Sequence, residues 1–158
     1  NLGWFTQYFY TTQTDDNTRN LLFTSLYYNF LSKPGIKGGL NYQYISFKNQ
    51  VPTSYFSPEK FNAMEVFADI SNNENDIFYS LNAATGYQFI EDQEKQSTYR
   101  IQAKLGYNFN ERFLANIYGT RSNIASATAA GFTYTEVGFV IKWDITKKPT
   151  FYKKITLK

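Results

Sequence analysis

The sequence predicts an all-β chain of antiparallel, up-and-down strands, and three observations carry that prediction. Segments of about ten residues alternate apolar and polar side chains at a period of two. Aromatic residues make up 20% of the chain, with 14 Tyr and 15 Phe, a composition that suits strands better than helices. No segment repeats its apolar residues at helical spacing.

Residues 2–11 read as a first strand whose facing the sequence leaves open. After a polar loop at 12–19, residues 20–31 set Leu22, Thr24, Leu26, Tyr28 and Phe30 against Ser25, Tyr27 and Asn29. The turn Ser32-Lys-Pro-Gly35 ends that strand, because proline fixes φ and glycine permits the reversal. Residues 38–47 place Leu40, Tyr42 and Tyr44 opposite Asn41 and Gln43. The longest connection, 48–60, leads to 61–70, where Met64, Val66, Ala68 and Ile70 oppose Glu65, Phe67 and Asp69.

Residues 76–89 alternate in the same way, Ile77, Tyr79, Leu81 and Ala83 against Ser80, Asn82 and Gln88. The cleanest strand is 97–109, with Tyr99, Ile101, Ala103, Leu105, Tyr107 and Phe109 on one side and Arg100, Gln102 and Lys104 on the other. Asn110-Glu111 makes a near-minimal turn into 112–121, which sets Phe113, Ala115 and Ile117 against Asn116, Tyr118 and Thr120. The last strand, 131–145, carries Val137, Phe139, Ile141 and Trp143 on one face and Tyr134, Glu136, Gly138 and Lys142 on the other.

Eight strands of this length match what a tilted strand needs to cross a bilayer. The connections alternate too. Those at 32–37, 71–75 and 110–111 are short, and those at 12–19, 48–60, 90–96 and 122–130 are longer. Outer-membrane barrels pair short periplasmic turns with longer external loops. The expected fold is therefore an eight-stranded transmembrane barrel over residues 1–145, both termini periplasmic, with 146–158 as a basic periplasmic tail. The alternative is the C-terminal half of a barrel of about sixteen strands. A soluble lipocalin-like barrel is the lesser alternative, and it needs the apolar faces inside.

The aromatic positions fit the membrane topology. Phe30, Tyr107, Phe109, Phe113 and Trp143 fall at the periplasmic rim and Tyr99 at the external rim, the places where interfacial rings collect. Between these rims Ile101, Leu105, Val137, Phe139 and Ile141 are expected to face lipid.

Composition excludes several chemistries. The chain has no cysteine and no histidine, so disulfides, thiolate metal sites and the usual general base are absent. No catalytic residues, no metal and no cofactor are expected, and an enzyme is not. The net charge of +3 belongs to residues 146–158, which hold five lysines and no acid; the remainder has 11 basic and 13 acidic residues. A nucleic-acid surface is not indicated. No 18-residue apolar run is present, which excludes a transmembrane helix. The opening at Asn1 without a charged and apolar leader implies a removed signal peptide or a piece of a longer chain.

Three segments carry a resemblance: Asp15-Asp-Asn-Thr-Arg19, Tyr55-Phe-Ser-Pro58 with Phe61, and Gly131-Phe-Thr-Tyr-Thr-Glu-Val-Gly138. In order and spacing they resemble the C-terminal barrels of tetratricopeptide-repeat outer-membrane proteins that export exopolysaccharides. Glu136-x-Gly138-x-x-Ile141-x-Trp143 is also similar to the terminal-strand signal read by the barrel-assembly machinery. The resemblance implies an outer-membrane component of an export or envelope system. Its implied partners are outer-membrane lipid or lipopolysaccharide, the assembly machinery, and a polysaccharide or another envelope protein. Two features depart from the pattern: thirteen residues follow Ile145, and export barrels of this kind have about twice as many strands behind a helical-repeat region.

The lumen is expected to receive Glu65, Asp69, Arg100, Gln102, Lys104, Glu136 and Lys142. These could line a conduit that hydrogen-bonds a passing glycan, or pair with one another in a filled interior, as eight strands favour. In the external loops Asp16, Asn17 and Arg19 could meet cations or lipopolysaccharide, though a solvated loop is the plainer reading. Tyr55, Phe56 and Pro58 could form a sugar platform or fold loop 48–60 back over the rim. A small barrel that binds another outer-membrane complex through its wall, loops or tail is the competing function.

Overall fold

Alternation makes each strand two-faced, and pairing decides whether the faces add up to a surface. The computed structural model describes residues 1–51, 56–73, 76–124 and 133–145. Eight strands run through it: β1 (Leu2–Thr12), β2 (Thr18–Ser32), β3 (Gly35–Phe47), β4 (Phe61–Asn72), β5 (Ile77–Ile90), β6 (Gln96–Asn110), β7 (Phe113–Ser122) and β8 (Tyr134–Trp143). They form one sheet in sequence order, every neighbour antiparallel, with no helix among the described residues. The outermost strands, β1 and β8, each have a single neighbour.

The registers keep like with like. Ser25 pairs Asn41, Asn41 pairs Glu65 and Glu65 pairs Gly86, while Leu26 pairs Leu40, Leu40 pairs Val66 and Val66 pairs Thr85. One face thus gathers Lys37, Glu65, Asp69, Arg100, Lys104, Glu136 and Lys142. The other is apolar and aromatic, and its one charged strand residue is Arg121, near the end of β7. The facing of β1, open from sequence, is set by Trp4 opposite Leu26 and Phe5 opposite Ser25.

Burial runs opposite to that of a water-soluble sheet. Every buried strand residue, from Ile45, Phe61 and Phe67 to Ser25, Asn41, Glu65, Gln88 and Asn116, lies on the polar face. The apolar face stands open: Val137 is 72% exposed, Ile101 50% and Phe109 56%. A flat single sheet would expose its faces about equally, so the sheet curls toward its polar side. A hollow there, lined from Asp69 on β4 to Val140 on β8, shows the same curl.

The strands also lean. The row of paired residues that begins at Gly3, at the foot of β1, passes Tyr27, Gly39, Phe67, Ala84, Arg100 and Ser122. It leaves the sheet at Tyr134, the head of β8, eight residues from Lys142 near the foot. With the short-turn ends level, a rise of about 3.3 Å per residue and a spacing of about 4.8 Å give a tilt of about 38°. Membrane barrels lean about 35–45°.

The expected closure into an eight-stranded barrel is absent: no pairing joins β1 to β8 and the sheet is open. Its curvature does not bring the two edges together. The expected tail, 146–158, lies outside the described residues.

The hydrophobic core is small and sits at one end of the polar face. Ile45, Phe47, Phe61 and Ala63 are buried there against Leu21, Phe56, Ile90 and Ile124. That end carries the longer connections, 48–60 among them. The opposite end carries the tight turns at Lys33–Pro34, whose peptide bond is cis, and Glu111–Arg112.

Candidate functional site

The concave face brings together ionisable groups from several strands. On β4, Glu65 is 4% exposed, and an Arg100 nitrogen on β6 lies 3.3 Å from its Oε2. The two reach each other across β5 because the residues beneath them there are small, Ala84 and Gly86. Leaving water costs the Glu65 charge heavily, and the pairing with the partly exposed Arg100 offsets only part of that cost. Glu65 Oε1 and Arg100 Nε find no hydrogen-bond partner.

Beyond the pair, Asp69, Asn82, Gln102, Lys104, Asn116 and Tyr118 line a hollow of about 670 Å³. A second hollow, about 320 Å³, lies toward β1 and shares Asp69 and Asn82 with the first. On β8 the Glu136 carboxylate accepts hydrogen bonds from Tyr118 at 3.0 Å and Tyr134 at 3.3 Å. Lys104 Nζ stands 5.4 Å from the centre of the Phe78 ring. Hydroxyls, amides and rings interleaved with charges of both signs can hydrogen-bond and stack a polar solute.

Three rings on this face lie over glycines directly opposite them: Tyr27 over Gly3, Phe78 over Gly106 and Tyr118 over Gly138. A Cβ at any of these glycines would overlap the ring. Each pairing flattens an aromatic side chain against the wall and keeps the concavity open.

Several polar side chains of the convex face pair with one another. Trp4 Nε1 donates to Thr24 Oγ1, and the Thr6 and Thr24 hydroxyls are bonded at 2.8 Å. Tyr8 donates to Asn20 and Tyr42 to Asn62, each at 2.7 Å. Rings cluster at its short-turn end, with Phe109 between Tyr107 at 4.9 Å and Phe113 at 5.0 Å. Phe30 and Trp143 stand exposed at the same end, and Tyr99 stands near the opposite one. Ile101, Leu105, Val137, Phe139 and Ile141 are exposed on this face.

Two of the loop residues, Asn17 and Arg19, differ from their reading as solvated loop residues. Arg19 is the second residue of β2, paired with Phe47, and not a loop residue. Asn17 is not solvated but buried: its Oδ1 accepts from Thr18 N and Asn49 N, and its Nδ2 donates to Asn49 O at 2.7 Å. Asp16 is exposed in the turn with φ 59°. Phe56 packs edge-on against Phe61, and Pro58, itself buried, accepts from Phe47 N. These two fold inward over the concave face and offer no external platform. Tyr55 lies outside the described residues.

Sequence reading passed over Glu91, which looked like one charge in a solvated loop. Its Oε1 accepts from Gln50 Nε2 at 2.7 Å and Glu59 N at 2.9 Å, and its own N–H donates to Lys60 O. Its φ of 53° is the local signal of a tight reversal, invisible in composition. No cluster of metal-ligating side chains occurs among the described residues. Comparison with protein families, curated proteins and solved structures finds no match to this chain.

Proposed function

We propose that this sheet is a section of the wall of a β-barrel in a bacterial outer membrane. Its convex face lies on lipid and its concave face lines a polar conduit through which an exopolysaccharide is exported, without catalysis by this chain. One observation carries the reading: the apolar face is the exposed one, and every buried strand residue, from β2 to β7, lies on the polar face. Keeping that apolar face in water would cost much free energy, whereas a bilayer accepts it. The tilt of about 38° and the internal pairing of polar atoms on the convex face support the same placement. A soluble ligand-binding barrel would need the reverse facing.

An open edge cannot stand in lipid, because each unsatisfied backbone group costs several kcal/mol there. The barrel is therefore completed by strands beyond these eight, as in the wider, about sixteen-stranded alternative. A wider ring also leaves room for a polymer where eight strands leave little more than side-chain space.

The absence of cysteine makes the test direct. Single cysteines placed in turn at residues 99–109, Gly106 left out because a Cβ there would overlap Phe78, should alternate in the protein in lipid vesicles. Odd positions should react only with a lipid-soluble probe, and even positions with a water-soluble maleimide. Uniform labelling along β6, or a monodisperse protein without detergent, would sink the membrane reading. Ion conductance in planar bilayers, reduced by glucose- or hexosamine-based oligosaccharides, tests the cargo separately.

A further inference from the structure

The two edge strands break the rule that the inner strands keep. On the concave face, large apolar side chains are covered or half covered from β2 to β7. The exposed ones are Phe5 and Phe9 on β1 and Tyr134 and Val140 on β8. Both edges thus expose large apolar side chains on both faces, since β1 also shows Trp4 and Tyr8 outward and β8 shows Phe139 and Ile141, although β8 keeps Glu136 and Lys142 on its concave side. β1 carries no charge at all.

The edges suit each other. They hold 11 and 10 residues and run antiparallel, and in a closed ring their short-turn ends would lie level. At that level Leu2 stands beside Trp143, which sets Phe5 opposite Val140 on the concave side and Trp4 opposite Ile141 on the convex side. Like faces then join like faces, as a strand register requires. The sheet's own curvature keeps its β1 and β8 apart.

Resting on the wall reading above, we propose that the strand beside β1 is β8 of a second copy of this chain, and the reverse. Two copies related by a two-fold axis then close one sixteen-stranded ring through two identical seams. Each seam pairs every edge group that a single copy leaves open. The two hollows on the concave face become parts of one lumen shared by both copies.

The experiment uses the full chain in lipid vesicles, with Phe5→Cys and Val140→Cys prepared as separate single variants and as the double variant. Opposed Cβ atoms of paired strands lie within disulfide reach. Mixing the two single variants under mild oxidation should give a crosslinked species of twice the chain mass, absent from either variant alone. The double variant should give the same dimer. A disulfide within one chain, migrating at monomer mass, would overturn the proposal in favour of closure onto the chain's own edge. No crosslink in either format would overturn it in favour of strands from a different segment or protein. The alternating labelling of β6 reads the wall by itself, so failure of the seam leaves that pattern intact and failure of the wall abolishes it.

Discussion

The two ends of the sheet are closed by different means. At the long-loop end, side chains hold the structure: Asn17 ties the first loop to Asn49, and Glu91 ties Gln50 and Glu59 to the third. Beneath these ties Phe61, Ile45 and Phe47 fill the concave face with apolar bulk. At the short-turn end the backbone reverses within two residues at Lys33–Pro34 and at Glu111–Arg112, and Asp76, Asn108, Glu111, Arg112 and Lys142 border a polar hollow of about 470 Å³. One end is plugged by apolar side chains and cross-tied, and the other borders a polar hollow. In the proposed wall, that plug would narrow the conduit where Phe56 and Pro58 fold inward.

The sharpest way to break the contrast is to hollow out the plug. Phe61 is fully buried and meets Phe56 at 5.8 Å between ring centres. Phe61→Ala removes a large buried ring, a change that costs about 3–5 kcal/mol. The expected result is a much lower thermal midpoint in detergent, with conductance raised. Phe109→Ala at the other end is the control. Its ring is exposed on the convex face, so the midpoint should move far less. Equal losses from the two changes would mean that the ends are not differently built.

Asn17 comes next. Asn17→Ala strands two backbone donors and one carbonyl at a buried site, a loss of about 1–3 kcal/mol. Proteolysis should then cut near 13–17 and 48–50 while the strands stay intact. Glu91→Ala should act more weakly, by about 1 kcal/mol, because its carboxylate is exposed and water replaces it. Its signature is cleavage near 56–60 without a change at 13–17. Cleavage at both sites in both variants would mean that the loops move as one body.

How much of this was legible depends on what a side chain must do alone. Strands β2 to β8 were readable because each puts apolar residues such as Leu26, Val66 and Leu105 on one side and polar ones on the other. β1 was not, since Phe5 and Phe9 are as apolar as Trp4 and Tyr8; only pairing with Ser25 and Leu26 gives it a direction. The Glu65–Arg100 pair was visible as two lumen candidates but not as a pair, because it forms over Ala84 and Gly86 on a strand between them. Arg19 was misplaced because the polar run 12–19 hides a strand that starts at Thr18. Closure was out of reach for a different reason: curvature is a sum of small twists over every strand, and no single residue encodes it.

The short-turn end gives the smallest effect. Asn110 Oδ1 accepts from Arg112 N at 2.9 Å and Phe113 N at 3.0 Å, so the β6–β7 turn does use one side chain. The site is exposed, however, and water can take both donors once the amide is gone. Asn110→Ala should therefore lower stability by only about 0.5–1 kcal/mol. The β6–β7 register would be kept by Lys104 opposite Tyr118 and Leu105 opposite Ile117. A small shift in the thermal midpoint with unchanged labelling of residues 99–109 is the expected outcome. A loss as large as that of Asn17→Ala, or a slip in the labelling pattern, would show that this end also relies on its side chains.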